Sequence, residues 1–158
     1  ICPNFELLHT MKFFVYTSIL LLIKTALCEE KYEFKIMGNS IKNDILELPN
    51  KSKFNIFEGK GAFTDNRGNI GDFSSRGVRE TDEEGVLIKL TAVLVLKTND
   101  GSEIWAYPTR VKSELQVGAG YFDIFHSTGN LKNLYGKKCQ YGLTVTRDKS
   151  FVMQGFCK

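Results

Sequence analysis

The chain has 158 residues, 42% of them apolar and 25% charged, with a formal net charge of +3. That apolar share excludes a disordered chain, and so small a net charge excludes the strongly basic surface of a dedicated nucleic-acid binder. Four cysteines and two histidines do not supply zinc-finger spacing, and neither a metal site nor a cofactor is expected.

Residues Ile1–Thr10 precede the first methionine and read as upstream sequence outside the fold. Met11-Lys12 then begins a secretory signal: an apolar run from Phe13 to Ile23, and small residues at Ala26 and Cys28 before a cut at Glu29. Lys24 ends the run short of the roughly 20 residues a membrane span needs, and nothing after Cys28 approaches one. The expectation is a secreted, extracellular domain over 29–158. In that compartment Asn50-Lys51-Ser52, placed in a turn by Pro49, is a glycan acceptor. Cys139 and Cys157, the two cysteines beyond the cut, are free to pair there.

After Glu29 the apolar residues alternate or cluster as β-branched and aromatic blocks, and glycines recur at intervals that break helices. Strands are expected near Tyr32–Met37, Lys53–Thr64, Ile70–Arg79, Val86–Thr98, Glu103–Leu115, Gly120–Ser127, Lys137–Thr146 and Ser150–Cys157. Eight strands in succession predict an all-β, antiparallel up-and-down barrel in a single domain. Ser40–Leu48 is ambiguous: Ile41, Ile45 and Leu48 keep helical spacing, which suggests a short helix or crossover, while Asn43 and Asp44 favour a loop. Asp65-Asn66-Arg67-Gly68-Asn69 lacks the sixth-position glycine and the closing Glu of a calcium loop, and reads as a hairpin turn.

Two hairpins allow register to be counted. Asn99-Asp100-Gly101-Ser102 carries the Asp-Gly pair of a two-residue type I′ turn. It sets Leu96 opposite Trp105, Leu94 opposite Tyr107, Ala92 opposite Thr109, Leu90 opposite Val111, Ile88 opposite Ser113 and Val86 opposite Leu115. Leu94, Leu96, Trp105 and Tyr107 then share an apolar face, either core or ligand wall. Val93, Val95, Ile104, Ala106 and Pro108 fall on the outer face, where self-association or the Ser40–Leu48 segment would cover them. In the last hairpin a three-residue loop, Arg147-Asp148-Lys149, sets Val145 opposite Phe151, Leu143 opposite Met153, Tyr141 opposite Gly155 and Cys139 opposite Cys157. A two-residue loop would move Lys158 opposite Cys139 instead. With the longer loop the cysteines meet on the apolar face, and their disulfide clamps a C-terminal strand whose outer edge would otherwise fray.

Two glycine-punctuated segments, Glu58 to Gly71 (EGKGAFTDNRGNIG) and Ser127 to Gly136 (STGNLKNLYG), resemble the allene oxide cyclase-like and dirigent-like β-barrel superfamily, over roughly Lys53 to Cys157. The resemblance implies an eight-stranded barrel, an apolar interior able to hold a small hydrophobic molecule, and a homo-oligomer, often a trimer. It carries over no catalytic residue.

No nucleophile elbow, phosphate loop, HExxH or CxxC is present in the sequence. Tyr107, Thr109, Arg110, Asp123 and Glu58 are candidates for polar groups in or around a barrel mouth, and His126 is a packed or rim histidine or a base. The leading expectation is a non-catalytic barrel that binds a small hydrophobic or amphipathic ligand through Leu94, Leu96, Trp105, Tyr107, Phe122 and His126. Two alternatives stand beside it. One is cyclase- or isomerase-like, or dirigent-like, steering of a reactive small molecule by a wall of Trp105, Tyr107 and Phe122; the other is an extracellular interaction protein acting through surface patches.

Overall fold

In the computed structural model, residues 31–110 and 117–158 are described. Residues 1–30, where a signal segment is expected, and positions 111–116, with the pairings expected of Val111, Ser113 and Leu115, lie outside the described residues. Eight strands follow one another: β1 Tyr32–Glu47, β2 Lys53–Asp65, β3 Ile70–Thr81, β4 Leu87–Thr98, β5 Glu103–Arg110, β6 Val117–Ser127, β7 Lys138–Val145 and β8 Ser150–Cys157. Each pairs antiparallel with its neighbour, and β1 pairs with β8, so the sheet is a closed up-and-down barrel. The expected all-β architecture is present. No helix among the described residues is long and apolar enough to cross a membrane.

Closure corrects one expectation about the disulfide. Cys139 and Cys157 are bonded and sit directly opposite each other on β7 and β8. β8 has no free edge, however, because Cys157 is also paired with Tyr32 of β1. The bond therefore fastens an internal seam rather than protecting a fraying edge.

Five hairpins share one loop geometry. In 48–52, 65–69, 82–86, 98–102 and 146–150 the first residue's N–H donates to the fifth residue's carbonyl, and the fourth residue's N–H donates back to the first residue's carbonyl. The fourth residue is left-handed in each: Lys51, Gly68, Gly85, Gly101 and Lys149, with φ of 64°, 82°, 86°, 85° and 68°. This is the three-residue loop that ends in a residue bulged into the left-handed region. In three of them an Asx side chain at the third position (Asn50, Asp100, Asp148) accepts from the N–H two residues on, at Ser52, Ser102 and Ser150. The Asp65 carboxylate accepts from the N–H groups of Arg67 and Asn69, so this segment is the expected hairpin turn.

The loop at 98–102 overturns the expected two-residue type I′ turn. One extra residue in the loop shifts the β4–β5 register, so Leu96 faces Ile104, Leu94 faces Ala106 and Val95 faces Trp105. A shift of one residue exchanges inner and outer faces. Ile104 and Ala106 are therefore buried inside, and Trp105 and Tyr107 lie outside, so the outer strip expected from Val93, Val95, Ile104, Ala106 and Pro108 is not assembled. The last hairpin keeps its expected three-residue loop and every expected pair from Val145–Phe151 to Cys139–Cys157.

Ser40–Leu48 is also corrected: through Glu47 it continues β1, against β2 as far as Lys53. Ile41 is the extra residue of a bulge between Ser40 and Lys42. A bulge interrupts the two-residue alternation at Ile41, and a spacing of four, as between Ile41 and Ile45, fits a strand as well as a helix.

The two ends of the barrel differ. At the end bearing the disulfide, a short 3₁₀ turn over Gly129–Leu134 drives Leu131 and Leu134 into the core. Asn130 donates from its side chain to Asn69 and Asp100, and Arg67 donates to Asn133, so this end is laced shut. The waist is filled by aromatic rings: Phe122 stacks on Tyr141 at 4.4 Å and lies 5.5 Å from Phe34, and Phe73 meets Phe151 edge-on at 5.5 Å. Glycines make that filling fit. A Cβ on Gly155 would come within 2.6 Å of the Phe34 ring, and one on Gly38 within 2.8 Å of the Phe151 ring.

Candidate functional site at the open end of the barrel

Beyond the aromatic waist, the inner face at the opposite end is no longer purely apolar. Phe63 and Phe73 point inward near the closed end, and the two-residue alternation carried along β2 and β3 puts Phe57 and Asn55, then Arg79, on the same inner face. Asn55 lies directly opposite Arg79 across β2 and β3, and Asn43 of β1 lies opposite Phe57. On β5 the buried Ile104 and Ala106 continue inward through Pro108 to Arg110. Leu143 and Phe151, packed on the core cluster, supply apolar wall.

The polar groups are tied together. Arg79 Nη2 donates to Asn43 Oδ1 at 3.0 Å, and Asn55 Nδ2 donates to the same oxygen at 2.7 Å. The Arg79 guanidinium lies 5.5 Å from the Phe57 ring centre, a cation–π contact. Burial pushes the Arg79 pKa below the usual arginine value, and the charge of Arg110 lowers it further. Burial likewise lowers Arg110, partly offset by Tyr141. The Tyr141 hydroxyl is pushed up to about 12 by burial, with Arg110 opposing the shift. Among the described residues no carboxylate forms an ion pair with Arg79, whose half-buried positive charge lies beside the Phe57 ring.

The ligand residues expected from sequence divide between inside and outside. Leu94 and Leu96 are buried in the core, and Phe122 belongs to the aromatic waist. Trp105, Tyr107 and His126 are on the outer wall. Trp105 pairs with His126 across β5 and β6 and donates from its indole to Glu103 at 3.0 Å, and Tyr107 stacks on Phe125 at 4.2 Å. Of the polar groups considered for the mouth, Arg110 is there. Thr109 and Asp123 are exposed outside, and Glu58 is outside in an ion pair with Arg76 at 2.8 Å. Asn43, Asn55, Phe57 and Arg79 were not singled out from the sequence. A polar residue at an inward position of an otherwise apolar strand, as at Asn55 within FNIFEGKGAF, was the available signal.

Asn50 is exposed at the 48–52 turn, its side-chain oxygen accepting from the Ser52 hydroxyl at 2.8 Å. A groove of about 870 Å³ also crosses the outer wall between Glu33 and Lys35 of β1, Gln154 and Phe156 of β8, and Tyr121 of β6. It is bordered mainly by solvated side chains, whereas the desolvated charge lies at the barrel mouth. Comparison with family models, curated proteins and solved structures yields no match.

Proposed function

We propose that this chain is a secreted barrel protein that binds a small amphipathic molecule in the open half of the barrel and carries out no chemistry on it. The observation that carries the reading is the change of character along one interior: rings and aliphatic side chains fill the waist, and the half-buried guanidinium of Arg79 sits above them with Asn43 and Asn55. Desolvating a cation costs free energy unless something compensates. A bound polar head above an apolar tail would do so.

The disulfide fits the oxidising compartment that the signal segment implies, and Asn50, on an exposed turn, is the proposed glycan acceptor. The resemblance to allene oxide cyclase-like and dirigent-like barrels supports an interior ligand of the same general kind. The steering alternative loses two of its three wall residues, since Trp105 and Tyr107 face outward.

Isothermal titration calorimetry with medium-chain fatty acids, terpenoids and phenolics tests the proposal. Saturable one-to-one binding is expected, and it should be abolished by Leu143→Trp, which obstructs the wall of the basin. Trp105 fluorescence is a poor reporter, because the indole lies on the opposite side of the wall. Absence of binding across the series would reject the reading.

A further inference from the structure

The groove of about 870 Å³ on the outer wall is separate from the barrel interior, and strand register fixes its shape. Tyr121, Gln140 and Phe156 stand opposite one another across β6, β7 and β8 and form one wall. Ala119, Gly142 and Gln154, in the next outward row, form the other, which Lys35 of β1 extends. Gly120, Tyr141 and Gly155 run between the two rows. Tyr141 is buried, and a Cβ on Gly120 or Gly155 would point inward, to within 2.6 Å of the Tyr141 hydroxyl or the Phe34 ring. The floor is therefore backbone, and the trench runs across the strands.

The two rings are braced from one side. Lys138 Nζ lies 4.8 Å from the centre of the Tyr121 ring, and Lys31 Nζ lies 4.0 Å from that of Phe156. Each lysine is itself paired, with Asp123 at 3.8 Å and with Glu33 at 2.9 Å. Lys138 and Lys31 precede Gln140 and Glu33 by two residues on strands that run from the closed end, so both cations stand on the side away from Ala119 and Gly142. Each covers one face of its ring and leaves the other to the groove. Neighbouring strands are about 4.8 Å apart, which separates the rings on β6 and β8 by about 10 Å, with the exposed amide of Gln140 between them.

An open ring face receives a flat surface of C–H groups, and an amide both donates and accepts hydrogen bonds. Glu33 and Asp65 border the groove together with Lys35, so charge selects neither a polyanion nor a cation. We infer that the groove binds a neutral, extended β1,4-linked oligosaccharide. Alternate sugars of such a chain present the same face at the interval set by the two rings. One sugar stacks on Tyr121, the next but one stacks on Phe156, and the sugar between them is hydrogen-bonded by Gln140, with Gln154 facing it from the other wall.

Calorimetry on the disulfide-intact protein compares cellotetraose, cellobiose and maltotetraose. Cellotetraose reaches both rings and is expected to bind about tenfold more tightly than cellobiose, which reaches one, and than maltotetraose, whose curved chain cannot lie along both. Tyr121→Ala or Phe156→Ala should reduce cellotetraose to the level of cellobiose. Gly142→Trp fills the groove without disturbing the core, because a Cβ there meets no atom within 4 Å. It should abolish cellotetraose binding at an unchanged urea midpoint, and it decides the matter if a ring variant does not fold. Absence of binding by all three sugars, equal affinity for cellotetraose and maltotetraose, tighter binding of a heparin tetrasaccharide, or binding that survives Gly142→Trp overturns the inference. The substituted positions face outward, so the interior ligand series on the same variants reports on the barrel reading separately.

Discussion

Removing the Cys139–Cys157 bond tests the account of the barrel seam. The cysteines are 18 positions apart, and closing a loop of that size in the unfolded chain corresponds to about 3 kcal/mol in the chain-entropy model. Reduction without substitution leaves both sulfur atoms in place, so the loss should be close to that figure. Cys139→Ala/Cys157→Ala also deletes two buried sulfur atoms, each residue being 1% exposed. At about 1 kcal/mol for each deleted atom, the double variant should lose about 5 kcal/mol. Urea unfolding followed by far-UV circular dichroism measures both losses. The reduced protein should unfold at a lower midpoint with a steeper or unchanged slope, and the double variant lower again. β8 is hydrogen-bonded to strands on both sides, so the native barrel should persist after reduction, with the amides of residues 150–157 still protected from exchange. A reduced protein within about 1 kcal/mol of the oxidised one would refute the loop-entropy argument. Selective loss of protection over β8 would refute the seam and restore a fraying edge.

Lys149 holds a left-handed backbone at φ 68°, which costs an ordinary residue about 1 kcal/mol, so Lys149→Gly should raise the thermal midpoint by a few degrees and Gly101→Ala should lower it. Gly155→Val should destabilise by about 1–3 kcal/mol, because the added atoms meet the Gln140 carbonyl and the Phe34 ring; an unchanged urea midpoint would contradict the glycine-for-ring packing. Hydrogen bonds from Thr146 and then Ser150 hold the Asp148 pKa at about 2, below its ordinary value near 3.8. The carboxylate's contribution is therefore complete above pH 4 and lost as the pH falls through 2, so exchange at the 146–150 amides should accelerate over that window and become pH-insensitive in Asp148→Asn once intrinsic exchange is divided out. Tyr141 shifts the opposite way: neutral Tyr141 favours the folded state below about pH 10, and that contribution is lost as the pH rises through about 12, a titration visible at 295 nm and moved down in the unfolded protein.

Much of this architecture was legible without coordinates. β-branched and aromatic alternation placed eight strands, and the spacing of Cys139 and Cys157 around a short loop brought the sulfurs to one face, because local turn geometry and a period of two are properties of the sequence itself. The central hairpin shows where that local information stopped. Thr98-Asn99-Asp100-Gly101-Ser102 and Thr146-Arg147-Asp148-Lys149-Ser150 fold alike, with the Asp accepting from the Thr hydroxyl in each. Asp-Gly nevertheless also satisfies a two-residue turn, and both faces of β4 and β5 are apolar enough that periodicity did not choose between registers. Closure of the barrel chose: Ile104 and Ala106 fit the filled interior, and the larger rings of Trp105 and Tyr107 were left outside. The mouth depended on tertiary structure still more. Asn43, Asn55 and Arg79 belong to three strands, and a bulge at Ile41 sets the phase of the first. No local pattern can align them, because their meeting is fixed by strand register summed across β1, β2 and β3.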